Sequence, residues 1–108
     1  MTVLSDHLRP GRFSTPVVPA QVAADWSARG FGCNPFTDPP GQQWLGFVHD
    51  TNELVTVVQG KIAVTVSGQT VVLQPGDEIF IPRNAEHDVI NCHDDVSVWL
   101  FGYDAGGT

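Results

Sequence analysis

Apolar and polar residues alternate with a period of two through the second half of the chain. The runs GQQWLGFVH (41–49), ELVTVVQ (53–59), KIAVTVS (61–67), QTVVLQ (69–74), DEIFIP (77–82), HDVINC (87–92) and VSVWLFGY (96–103) are short and rich in β-branched and aromatic residues. Such residues pack well on a pleated sheet, so the pattern predicts seven strands. Turn residues separate the runs. Gln59-Gly60 and Ser67-Gly68 can supply the positive φ of tight hairpins. Gln74-Pro75-Gly76-Asp77 has proline and glycine where a type II turn wants them. No helical segment lies between the strands to make parallel crossovers, so an antiparallel β-sandwich or barrel is expected.

The first third of the chain reads differently. Val18, Val22 and Trp26 recur every four residues, Pro19 suits a first helical turn, and Gly30 suits the position past the end. One short helix over 19–29 is expected, covering part of the core. Residues 1–17, broken by Pro10, Gly11 and Pro16, predict an irregular N-terminal arm that is partly disordered or docks on a neighbour. Residues 18–108 then form a single domain. CNPFTDPPGQQ, with three prolines and a glycine, reads in part as a loop.

Composition narrows the partners. With 108 residues, 42% of them apolar and 16% charged, the chain suits one folded domain with one core. The net charge is −7 and Lys61 is the sole lysine. No basic patch can be assembled, which argues against nucleic acid and anionic membranes as partners. No apolar window approaches membrane-spanning length. The opening MTVLSDHLRPGRFS lacks the apolar stretch of a secretory signal, so a cytoplasmic setting is expected. Cys33 and Cys92 are then expected to be free thiols that pack as small buried apolar side chains.

Candidate chemistry centres on His49 and Glu53. Between strand-forming flanks, Asp50, Thr51 and Asn52 read as a hairpin loop, with His49 closing one strand and Glu53 opening the next. Cross-strand neighbours stand roughly 5 Å apart at Cβ, close enough to share one ion. Strict alternation puts Val55 and Val57 on the face of Glu53, and Phe47, Leu45 and Gln43 on the face of His49. That face is apolar, so the pair needs a further polar partner. His87, which shares its face with Val89 and Asn91, is the candidate. Two imidazoles and one carboxylate suit iron, manganese, zinc or nickel and leave positions open for water, substrate or oxygen. The same trio also fits a metal-free, hydrogen-bonded cluster. His93 lies roughly 20 Å along the strand from His87, too far to join it. His7 has no assignable place. Glu86 should face solvent. Trp44, Trp99 and Tyr103 read as core or dimer-interface residues rather than substrate contacts.

These residues resemble a known family. One cupin signature reads G-x5-H-x-H-x3,4-E-x6-G, and here His49, Glu53 and Gly60 are spaced to fit it. The other reads G-x5-P-x-G-x2-H-x3-N, and Gly76, Pro82, His87 and Asn91 fit that one. The chain is similar to a small single-domain cupin, with motif 1 at about 47–60 and motif 2 at about 76–91. There are departures. Phe47 replaces the first histidine, Asn84 replaces a glycine, and Gly41 is counted one position too early to be the opening glycine. The resemblance implies a jelly-roll β-barrel that pairs as a homodimer. It implies four protein ligands for a divalent metal, of which His49, Glu53 and His87 are present. Phe47, Gln43, Val55, Val89 and Asn91 are expected to line the pocket. Three functions fit: a metal-dependent enzyme on a small molecule, dioxygenase- or isomerase-like; a non-catalytic small-molecule binding module; or a metal-independent epimerase using a histidine base. Only Arg83 lies near the motifs to serve a nucleotide substrate, so the last ranks third.

Overall fold

The computed structural model describes residues 3–104 and resolves them into two antiparallel sheets lying face to face. Residues 1–2 of the expected arm and 105–108 of the expected domain lie outside the described residues. The chain runs through a 3-10 turn (Leu4–His7), β1 (Leu8–Arg9), α1 (Pro19–Ala28), β2 (Asn34–Asp38), β3 (Gln43–Phe47), β4 (Glu53–Gln59), β5 (Ile62–Val66), β6 (Gln69–Leu73), β7 (Glu78–Ile81), β8 (His87–Asn91) and β9 (Ser97–Tyr103). The sheet orders are β1-β7-β4-β9-β2 and β3-β8-β5-β6. This is an all-β jelly roll with one short helix. All seven expected strands are present, as β3 to β9.

The turns follow their residue chemistry. Ser67 and Gly68 both take positive φ between β5 and β6. Gly76 takes φ +90 and the Asp77 amide donates to Gln74 O at 3.0 Å, closing the expected type II turn. A side chain at Gly76 would collide with the Phe13 backbone, so two constraints hold that glycine.

Helix α1 begins at Pro19 and stops in a Schellman arrangement. The Gly30 amide donates to Ser27 O and the Phe31 amide to Trp26 O. Its apolar stripe puts Val22 and Trp26 against Leu54 and Leu100 on the outer face of the five-stranded sheet. The alternate residues Val55, Val57 and Trp99 face the space between the sheets with Ile62, Val64 and Val89. The single core expected from the length is therefore two apolar layers divided by β4 and β9. Residues 53–57 of β4 are buried on both faces. Glu78, 2% exposed, accepts hydrogen bonds from Trp26 Nε1 and the Arg29 guanidinium, which ties α1 to the sheet.

Two short strands were not anticipated. β2 contains Pro35, but it is an edge strand paired only with β9, and an edge can leave one side of the ladder undonated. β1, in the segment expected to be an irregular arm, pairs with β7 on the other edge of the same sheet, and Leu4 just before it is buried in the core. Cys33 and Cys92 are both free, but Cys92 is exposed, not buried as expected, because it lies just past the end of β8. Among the described residues, no helix is long and apolar enough to cross a membrane.

Candidate metal centre

His49 and Glu53 come together by a different route from the one expected. β3 and β4 belong to opposite sheets, so the segment between them crosses the sandwich and is not a hairpin. Glu53 has Ile81 and Tyr103 as its ladder neighbours, and Phe47 has His87. His49 lies in the crossing segment and meets Glu53 across the gap between sheets. Its backbone is fixed from the β7–β8 turn, where the Asn84 amide donates to His49 O at 2.6 Å and Asn84 itself takes φ +64. Asn52 braces the same segment by accepting from the Arg83 amide and donating to Asp104.

The three expected ligands converge. Glu53 Oε1 lies 3.4 Å from His87 Nε2 and 3.8 Å from His49 Nε2. One donor atom from each residue falls within 4.8 Å of the others. Glu53 and His87 are each 4% exposed, while the His49 side chain, at 28%, sits nearer the mouth.

Protonation at this cluster is constrained from behind. His87 Nδ1 lies 3.0 Å from Ala85 O, so it carries a proton and donates. In a neutral imidazole Nε2 is then a lone pair aimed at a carboxylate oxygen. Glu53 Oε1 has no hydrogen-bond partner among the described residues. Two facing acceptors repel unless a proton or a cation stands between them. Burial alone would lower the His87 pKa, but the Glu53 carboxylate and Ala85 carbonyl outweigh it and the net shift is upward. A metal ion resolves the same conflict without a proton, so this donor set fits one. The His–Glu–His group could hold one ion.

The cavity in front of the cluster measures about 150 Å³, the size that holds a benzene-like molecule. Phe36, Trp44, Phe47, Val89, Trp99, Phe101 and Tyr103 line it together with the three polar residues. Of the expected lining residues, Phe47 and Val89 are there. Gln43, Val55 and Asn91 are not. Gln43 is exposed because β3 does not alternate strictly. Trp44 pairs with Val89 and Phe47 with His87, so Leu45 and Gly46 together oppose Asp88 in a β-bulge. Gly46 takes φ +70 and its amide donates to the Asp88 carboxylate at 2.7 Å. The bulge turns Trp44 inward and leaves Leu45 57% exposed. Val55 is packed in the core beyond reach of the cavity, and Asn91 is consumed by a buried hydrogen-bond cluster at the far end of β8.

Tyr103, read from the sequence as core or dimer interface, lines the cavity. As the ladder partner of Glu53 it shares that residue's face, and its hydroxyl lies 3.3 Å from His49 Nε2. Burial and the Glu53 charge push its pKa upward. Partner identity in the ladder was the missing signal: once β9 is placed beside β4, Tyr103 follows from register alone. His93 is remote from the site, beside Asp94, as strand length required. His7 packs edge-on to Phe80 beside a second hollow lined by Leu4, Gln69 and Ala85.

The comparisons agree with this geometry. A family model described as the cupin domain matches residues 36–103. The chain belongs to the cupin family. Gly41 stands six residues before Phe47 and so does occupy the place of the opening glycine, and within motif 1 only the first histidine is replaced. No curated protein matches in sequence. Solved structures share the fold. The plu4264 protein of Photorhabdus luminescens is 26% identical with a TM-score of 0.64, over 73% of this chain and 67% of that one. A cupin 2 domain-containing protein of Halorhodospira halophila is 23% identical with a TM-score of 0.65, over 70% and 53%. Oxalate oxidase, solved with the substrate analogue glycolate, is 20% identical with a TM-score of 0.64, over 70% and 42%. This cupin thus spans about half the length of the Halorhodospira protein and less than half of the oxidase.

Proposed function

We propose that this cupin holds a divalent metal ion on His49, Glu53 and His87 and acts as a metal-dependent enzyme, dioxygenase- or isomerase-like, on a small and largely apolar molecule. The observation that carries the reading is the buried Glu53 Oε1, which has no hydrogen-bond partner among the described residues although it stands 3.4 Å from His87 Nε2. Iron, manganese, zinc and nickel all suit two imidazoles and a carboxylate. A bound ion would supply Lewis acidity to an oxygen of the ligand. The chain's own residues do the rest. Glu53 and His87 form the floor, held by the ladder and by Ala85 O. His49 stands at the mouth, held from the Asn84 amide. The rings of Trp44, Phe47, Trp99 and Phe101 exclude water and offer flat faces, which favours a planar ligand of about six heavy atoms. The homodimer expected from the resemblance belongs to the same reading. Leu45 and Val48 lie exposed on and just beyond the edge strand β3, where a second copy would cover them.

A second reading has its own support. The raised His87 pKa suits a metal-free pocket in which His87 imidazolium pairs with Glu53, and the domain binds a small molecule without turnover. Elemental analysis separates the two, on protein purified without chelator or affinity metal. The metal reading expects about one ion per chain in the wild type and none in His87→Ala. Metal-free wild type that also fails to take up added zinc or manganese overturns it.

A further inference from the structure

The family's fourth ligand is absent from its usual place, because Phe47 carries no donor. The five-stranded sheet brings another oxygen beside His49. Tyr103 is the direct ladder partner of Glu53, so both side chains project from adjacent strands into one cavity. Its hydroxyl stands 3.3 Å from His49 Nε2, and its ring packs edge-on to the imidazole with centroids 4.9 Å apart. We propose that Tyr103 supplies the fourth donor, its oxygen binding the ion beside His49, Glu53 and His87. The proposal rests on the metal-site reading above.

Distances favour it. With metal–ligand bonds of about 2.0–2.1 Å, neighbouring donors of a tetrahedral ion stand roughly 3.3–3.4 Å apart. The Tyr103–His49 separation of 3.3 Å and the Glu53–His87 separation of 3.4 Å both match such an edge, Glu53–His49 at 3.8 Å needs a small contraction, and the two histidines, whose donor atoms lie within 4.8 Å, need a larger one. Lone-pair accounting points the same way. Without an ion, the Tyr103 hydroxyl donates to His49 Nε2 whenever that nitrogen carries no proton. With an ion bound, that lone pair would be taken, and the hydroxyl would lose its acceptor while standing 3.3 Å from His49 Nε2. On ligation, the phenol would give its proton to solvent. The phenolate and the Glu53 carboxylate together balance a divalent charge in a cavity walled by rings, where an unbalanced charge is costly.

Tyr103 is the single tyrosine of the chain, which makes the test clean. Wild type and Tyr103→Phe are titrated with zinc by chelator competition, and each is loaded with ferric iron for visible spectroscopy. The expected result is one zinc per chain in the wild type and zinc binding weakened about 10–100-fold in Tyr103→Phe. The ferric wild type shows a phenolate-to-iron charge-transfer band, and the variant has none. Affinity alone does not decide, because a hydrogen bond to His49 acting from behind could change it as much; the band does. Iron bound to the wild type without that band overturns the proposal and leaves the three-ligand site standing, as does equal zinc affinity in the two proteins. Wild type that takes up neither ion overturns both readings.

Discussion

Two buried polar clusters sit at opposite ends of β8, and they differ in how completely their hydrogen bonds are made. At the Asn91 end nothing is left over. Asn91 Nδ2 reaches the carbonyls of Asp38, Pro39 and Asp95, and its Oδ1 accepts from the His93 amide and the Ser97 hydroxyl. The Asp38 carboxylate accepts from the indoles of Trp44 and Trp99. At the His87 end a carboxylate oxygen stands 3.4 Å from His87 Nε2 and lacks a hydrogen-bond partner among the described residues. Both ends carry residues of one family signature, so motif membership does not separate scaffold from site. Satisfaction does. A closed cluster fixes structure, and an open one of similar burial is held in place for something that arrives later.

The sharpest way to break this contrast is Asn91→Ala. It strips partners from three carbonyls, an amide and a hydroxyl in the interior, and should lower stability by about 3–5 kcal/mol in urea denaturation. The zinc stoichiometry of the folded fraction should not change. A loss under about 1 kcal/mol would mean that the closed cluster is not structural. Arg29→Met comes next. Glu78 belongs to the satisfied class, and removing Arg29 leaves it buried with Trp26 Nε1 as its remaining side-chain donor. Arg29 is partly exposed, so water replaces some of the loss and about 2 kcal/mol is expected. Adding Glu78→Gln to that variant should recover part of it. If the double variant is less stable than the single one, the charge of Glu78 was not the cause.

How far the sequence revealed this depends on the kind of signal. Strands β3 to β9 and α1 were legible because periodicity and turn chemistry are local. β2 was hidden by Pro35, whose meaning depends on lying at an edge, and edges are set by strand order. His49, Glu53 and His87 were found together although the route was wrong, since facing sheets and a hairpin both bring them near. The site's remaining parts needed topology. Leu45 was placed on the inner face because one glycine, Gly46, bulges the strand and resets its parity. Tyr103 was set aside because its partner in the ladder lies 50 residues away in sequence. Asn91, assigned to the pocket by parity, is inward-facing but belongs to the other cluster.

The open cluster makes a prediction of the opposite sign. Glu53→Gln replaces the partnerless oxygen with an amide that can donate to His87 Nε2. In chelator the variant should be about 1 kcal/mol more stable than the wild type, while zinc binding falls by an order of magnitude or more. Thermal melts with and without zinc measure both. A destabilised variant in chelator would show that Glu53 is already paired, with His87 as imidazolium, and would favour the metal-free pocket.

The smallest effect tests whether burial, rather than pairing alone, makes the contrast. Asp25 is a partly exposed carboxylate on α1, bonded to Arg12 and Arg29. Burial pushes its pKa up, but the two guanidiniums outweigh that and hold it below the ordinary 3.8. A folded-state pKa below the unfolded one stabilises the fold above 3.8, and the contribution is lost as pH falls through the folded value. Asp25→Asn should therefore be less stable than the wild type near neutral pH by only a few tenths of a kcal/mol, because solvent screens such pairs. The two denaturation curves should converge at acid pH below 3.8, and 1 M salt should narrow the gap at neutral pH. A gap that persists unchanged into acid would assign the effect to packing instead of charge. Water can stand in for a lost partner at Asp25 but not at Asn91 or Glu53, so the same chemistry that matters little on α1 decides structure at one end of β8 and, on the proposed reading, ligand binding at the other.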